Sequence, residues 1–136
     1  MQTARAHDDV QAPPTAPVLD VTPLLGRWTK TNDGPQWIRG LEIARDGDGI
    51  AVRVRGDAPP APHDWGQVRA ESLFANGILS PTASAFIARF SFDDLETELQ
   101  ANANLGLLVV ACYHRFTDGS GRADLFTREF FWREDA

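Results

Sequence analysis

The stretch Gly106 to Glu134, GLLVVACYHRFTDGSGRADLFTREFFWRE, decides how the chain is read. An apolar run, Leu107 to Cys112, leads into Tyr113-His114-Arg115-Phe116. A cluster of Asp, Gly and Ser follows, and then a second run rich in Phe and Trp. β-Branched and aromatic residues on both sides of such a cluster read as a β-hairpin. With Asp118-Gly119-Ser120-Gly121 as its loop, Thr117 pairs with Arg122. Tyr113 then faces Phe126, Ala111 faces Arg128 and Val109 faces Phe130. Side chains alternate along a strand, so Phe126, Arg128, Phe130 and Trp132 share one face. Three large aromatics and one cation on a single face are expected to look inward, and Tyr113 with them. By the same parity His114 is expected outside. Leu125 and Phe131, on the other face, then mark a candidate contact between two copies through the last strand.

Upstream, the same period-2 pattern recurs. Ile50, Val52 and Val54 oppose Ala51, Arg53 and Arg55. Phe86, Ala88, Phe90 and Phe92 oppose Arg89 and Ser91, and Leu95, Thr97, Leu99 and Ala101 oppose Glu96, Glu98 and Gln100. Each is a strand with one buried and one wet face. Further strands are expected from Gly26 to about Asn32, from Trp37 to Ala44, and from Gln67 to Phe74. Asn32-Asp33-Gly34-Pro35, Arg45 to Gly49, and Asn102-Ala103-Asn104 supply the turns. Gly56 to Gly66 is too rich in proline for a central strand. The pattern predicts an all-β domain over residues 18–136: a single eight-stranded antiparallel up-and-down barrel, whose closure removes exposed sheet edges. Residues 1–17, polar and with three prolines, are expected to be a disordered leader.

Composition narrows the function. The 136 residues carry a net charge of −6, and Lys30 is the single lysine among thirteen basic residues. No basic cluster suits a phosphate backbone, and an acidic chain is repelled by an anionic membrane surface, so neither nucleic acid nor membrane is an expected partner. The one cysteine, Cys112, lies in an apolar run and reads as a buried thiol. No signal-peptide core is present, which points to the cytoplasm.

Leu24-Leu25-Gly26-Arg27-Trp28 resembles the Gly-x-Trp opening of the calycins, the group of lipocalins, avidins and fatty-acid-binding proteins. The resemblance implies that Trp28 closes one end of the barrel, packed against a basic residue of the last strand, here Arg128 or Arg133. The chain also resembles a family of small bacterial proteins in Gly26-Arg27-Trp28, Asp64-Trp65-Gly66, Phe116 to Arg122 and Glu129-Phe130-Phe131, which implies a shared fold.

Catalytic signatures are few. His63 and Asp64 are sequence neighbours and do not form a dyad; His63, His114 and Cys112 lack metal spacing; and no nucleophile elbow is present. No metal and no cofactor are expected. The predicted lumen is aromatic and uncharged apart from polar handles, and its expected ligand-binding residues are Trp28, Trp65, Phe86, Phe90, Tyr113, Phe126 and Arg128. The expectation is a small apolar metabolite held in the lumen. Its most developed form is a cofactor-free cyclase or isomerase of a bacterial natural-product (polyketide) pathway, in which Tyr113 and Arg128 polarise a substrate carbonyl. A non-catalytic carrier is one alternative. A filled barrel acting as an interaction module is another.

Overall fold

A computed structural model describes residues 18–134. The expected leader, residues 1–17, lies outside the described residues. A 3-10 turn, Thr22–Leu24, precedes nine strands. These are β1 Gly26–Lys30, β2 Ile38–Asp46, β3 Gly49–Gly56, β4 Asp64–Arg69, β5 Ser72–Ala75, β6 Ala83–Ser91, β7 Leu95–Asn104, β8 Leu107–Phe116 and β9 Leu125–Arg133. They form one sheet in the order β4-β3-β2-β1-β9-β8-β7-β6-β5, and every neighbouring pair is antiparallel.

The first and last strands therefore pair in the middle of the sheet, and the two edge strands are consecutive in sequence. Laid flat, nine strands would span about 38 Å from edge to edge. The chain from Arg69 to Ser72 reaches at most about 11 Å. The sheet must curl, and it forms a half-barrel. Ala70 and Glu71 make the crossing: the Ala70 amide donates to Ile50 on β3 and the Glu71 amide to Ile87 on β6. This accounts for the ninth strand. The single strand expected from Gln67 to Phe74 breaks at these two residues, because its first half pairs with β3 and its second with β6.

Inward columns follow the expected parity in β3 (Ile50, Val52, Val54), β6 (Phe86, Ala88, Phe90) and β7 (Leu95, Thr97, Leu99, Ala101), all of them buried. The last hairpin keeps its expected register, with Tyr113 opposite Phe126, Ala111 opposite Arg128 and Val109 opposite Phe130, but its loop is longer than the expected four residues, and Thr117 and Arg122 lie outside the strands and do not pair. Its faces are reversed. Cys112 and His114 are buried, as is Phe131, while Tyr113, Phe126, Phe130 and Trp132 are exposed. The cause lies one strand back. Residues paired across two strands point the same way, and β7 pairs Thr97 with His114, Leu99 with Cys112 and Ala101 with Val110. The turn at Leu105-Gly106 sets that register with two residues of positive φ, 53° and 81°, as a two-residue hairpin loop requires. The strong parity of β7 is thus imposed on β8, and β8 imposes it on β9.

Candidate functional site

The two ends of the half-barrel are sealed differently. At one end stands Trp28 on β1. Its indole N–H donates to the Leu24 carbonyl at 3.0 Å. The Arg133 guanidinium lies over its ring at 4.6 Å from the centroid, and Arg133 also donates to the Pro23 carbonyl. The cation on Trp28 is Arg133; Arg128 projects from the opposite face of β9 and does not reach it.

The other end is closed by Trp37 and Trp65, both buried. Trp65 is the second residue of β4 rather than part of a loop. Its N–H donates to the Pro62 carbonyl at 2.9 Å, and its ring meets Phe90 and Phe92 edge-on at 5.3 and 5.6 Å. Pro62 is held against Gly56, where a Cβ would come within 1.7 Å of the Pro62 oxygen. Only glycine lets the 57–63 segment lie so close and so fix Trp65. Trp37 lies against the His114 ring at 4.3 Å, and Trp65 approaches that ring edge-on at 6.3 Å.

Beneath these tryptophans is a polar cluster. His114 is fully buried, with Nδ1 at 2.9 Å from the Thr97 hydroxyl and Nε2 at 3.0 Å from the Thr127 hydroxyl. One ring nitrogen donates and the other accepts, and each threonine takes the complementary role. Burial pushes the imidazole down to about 4, so it stays neutral near neutrality. Glu129 receives the amides of Trp37 and Ile38 at 2.7 and 3.1 Å. Burial raises its carboxyl above the usual range, against the pull of those two bonds. Nearby, Asp57 accepts from Lys30 Nζ at 2.7 Å and from the Gln36 amide at 2.8 Å. The bond from Lys30 is the main cause of its lowered pKa. Cys112 sits in the same wall, and burial pushes its thiol well above its ordinary range. Among the described residues, Trp37 Nε1 is the buried side-chain nitrogen with no protein acceptor. The cluster binds its own parts together. Its imidazole is flanked by two hydroxyls and contacted by two indoles, one tilted and one edge-on, and its carboxylate is occupied by backbone amides.

The expected site residues divide into two sets. Trp28, Trp65, Phe86 and Phe90 are interior. Tyr113 (45% exposed), Phe126 (51%) and the exposed Arg128 stand on the outer wall, so the seven do not converge. Phe131, placed outside by the sequence reading, is buried, and Leu125 is the member of that pair left partly exposed. His63 is exposed, and Asp64 is an exposed partner of Arg53 at 2.8 Å. The sequence reading missed Trp37, Thr97, Thr127 and Glu129 as a group, and placed His114 outside. The usable signal was the clean alternation of β7, which, carried across the turn, puts His114 inside.

The outer wall of β6 to β9 is the more unusual surface. On β8 it presents Leu107, Val109, Ala111 and Tyr113; on β9 it presents Phe126, Arg128, Phe130 and Trp132, the last 52% exposed. The Tyr113 and Phe126 rings meet at a tilt with centroids 5.1 Å apart, and the Arg128 guanidinium lies 5.1 Å from the Phe130 ring centre. Beside this ridge runs a groove of about 380 Å³, lined by Phe74, Ala85, Ile87, Gln100, Asn102, Val109, Ala111 and Arg128. Small side chains floor it because Ala85 and Ala111 are flanked by larger residues on neighbouring rows. Arg128 makes no ion pair among the described residues.

Fold and site together define an all-β half-barrel with tryptophans at both ends and an aromatic outer wall. No family model, no curated protein and no solved structure matches the chain. No helix among the described residues is long and apolar enough to cross a membrane.

Proposed function

We propose that the protein is a binding module that works through the outer wall of β6–β9, on a scaffold whose interior is filled by its own side chains. The observation that carries this reading is the inversion in the last hairpin: Tyr113, Phe126, Phe130 and Trp132 are solvent-facing while His114, Thr127 and Glu129 occupy the inside. Exposing four adjacent aromatics forgoes burial worth about 25 cal/mol per Å². Contiguous exposed apolar patches mark interaction sites. A calycin-like descent fits the Trp28–Arg133 stack and belongs to the same proposal.

A second reading rests on the groove. Its volume is in the range of small-ligand sites, and its walls mix apolar side chains with the polar groups of Arg128, Gln100 and Asn102. A small apolar metabolite with an oxygen for Arg128 would bind there rather than in a lumen. Of the pair expected to polarise a carbonyl, Arg128 lines this groove, whereas Tyr113 lies further along the wall beside Phe126.

An apolar fluorescent probe, bis-ANS, tests the wall. Probe fluorescence should be largely lost in the double variant Phe126→Ser, Trp132→Ser, with the far-UV spectrum unchanged. Retained binding in that variant, with loss on Phe90→Ala instead, would return binding to the interior and end the proposal.

A further inference from the structure

Resting on the wall as the binding surface, we infer that its occupant is a second copy of this chain, docked wall to wall about a two-fold axis that runs along β8. The argument is the placement of ridge and groove on one surface. The aromatic ridge is the outer column of β9, one strand to one side of β8; the floor of the groove lies over β7, one strand to the other side. A half-turn about an axis along β8 exchanges the two sides. It lays the β9 ridge of each copy in the β7 groove of the other, so both are satisfied at once, which is the self-complementarity that an isologous contact demands.

The middle of the on-axis column suits close approach, since Val109 and Ala111 are small and meet their own counterparts, while the larger Leu107 and Tyr113 stand at its ends. Charge is matched as well. The ridge carries Arg128, unpaired among the described residues; the outer column of β7 reads Glu96, Glu98, Gln100 and Asn102. Arg128 and Gln100 lie in the same cross-strand row, each across from Ala111. The half-turn therefore sets the guanidinium of one copy over Gln100 of the other, beside Glu98, which Arg89 and Gln100 of its own chain already hold at 2.8 Å each and which would share its charge with the incoming cation. Each Phe130 falls in the row of Asn102 and Ala85, over the groove floor.

The test is sedimentation equilibrium of the full chain from low micromolar to several hundred micromolar, joined to cysteine cross-linking. Wild type should be dimeric in the upper range. Phe130→Glu should raise the dissociation constant at least about 100-fold with an unchanged circular dichroism spectrum, since it removes the ring that fills the groove and carries a charge into the interface. Ala111→Cys, in a Cys112→Ala background, should form an intermolecular disulfide readily on mild oxidation, because an on-axis residue meets itself. Ala44→Cys, on β2 and away from the wall, should not. A strict monomer at the highest concentration overturns the inference. So does a dimer that persists in Phe130→Glu, or one in which Ala111→Cys stays reduced. A monomer that still takes up bis-ANS at the wall, and loses it on Arg128→Ala, would give the groove to a small molecule. That outcome overturns the second copy and leaves the wall as the binding surface.

Discussion

The two faces of the last hairpin make opposite use of their residues. Inward, β8 and β9 present His114, Thr127 and Glu129 beside Cys112 and Phe131; outward, they present Tyr113, Phe126, Phe130 and Trp132. Counting apolar atoms alone would choose the other orientation. The observed one is tolerated because the inward polar groups are partnered: the imidazole by two hydroxyls, the carboxylate by two amides. A partnered polar group costs little to bury, whereas an orphaned one costs about 1–3 kcal/mol. The outward aromatics have no such compensation within the chain, which is why they indicate a partner.

The largest effect that would break this contrast comes from neighbouring phenylalanines on opposite faces. Phe131→Ala should lower the unfolding free energy by about 3–5 kcal/mol, as expected of a fully buried ring. Phe130→Ala, measured by urea denaturation at a concentration where the protein is monomeric, should change it by less than about 1 kcal/mol. Equal losses would mean that the two faces are not distinct.

Next in size is Glu129→Ala, which leaves the amides of Trp37 and Ile38 inside without an acceptor. A loss of about 2–4 kcal/mol in urea unfolding is expected. Glu129→Gln, which keeps one oxygen, should lose less. Identical losses for the two variants would show that the amide bonds are not what matters.

The imidazole gives a pH signature. Its folded pKa, about 4, lies below its ordinary 6.5. Between those values the unfolded chain binds a proton that the folded chain refuses, so stability falls as pH drops from 6.5 towards 4 and levels off below. A displacement of that size corresponds to a loss of roughly 3 kcal/mol. The raised carboxyl of Glu129 works the other way, since its protonation on acidification favours the folded form. His114→Gln should flatten the decline seen by denaturation at a series of pH values. A slope unchanged in that variant would assign the acid sensitivity to other groups.

The smallest expected effect sharpens the outer face. Tyr113→Ser should change monomer stability by no more than about 1 kcal/mol, through loss of its ring contact with Phe126. It should nonetheless reduce bis-ANS binding at the wall. A larger loss of stability in a thermal melt would make the aromatic row a structural element.

By itself the sequence determined the strands, most of their inward faces, and the pairing within the last hairpin. Alternation exposed the buried columns of β3, β6 and β7, because one face carried charge and the other did not. Turn residues located several strand ends, but Asn102-Ala103-Asn104, expected as a turn, belongs to β7, and the chain reverses at Leu105-Gly106 instead. The register of Tyr113 with Phe126 followed from the loop cluster, since pairing depends on where a hairpin turns and not on which side is buried. Only the tertiary structure decided which side of β8 and β9 faces in. Both faces of that hairpin contain large apolar residues, so hydrophobicity did not separate them; the choice came from β7 through cross-strand pairing. It also decided that residues 67–74 serve two strands, because the curl of a nine-stranded sheet brings its edges together at Ala70-Glu71. The His114–Glu129 cluster was hidden for the same reason. Its members come from four distant stretches, Trp37, Thr97, His114 and Thr127 to Glu129, and only the closing of β9 against β1 and β8 brings them to one end of the sheet.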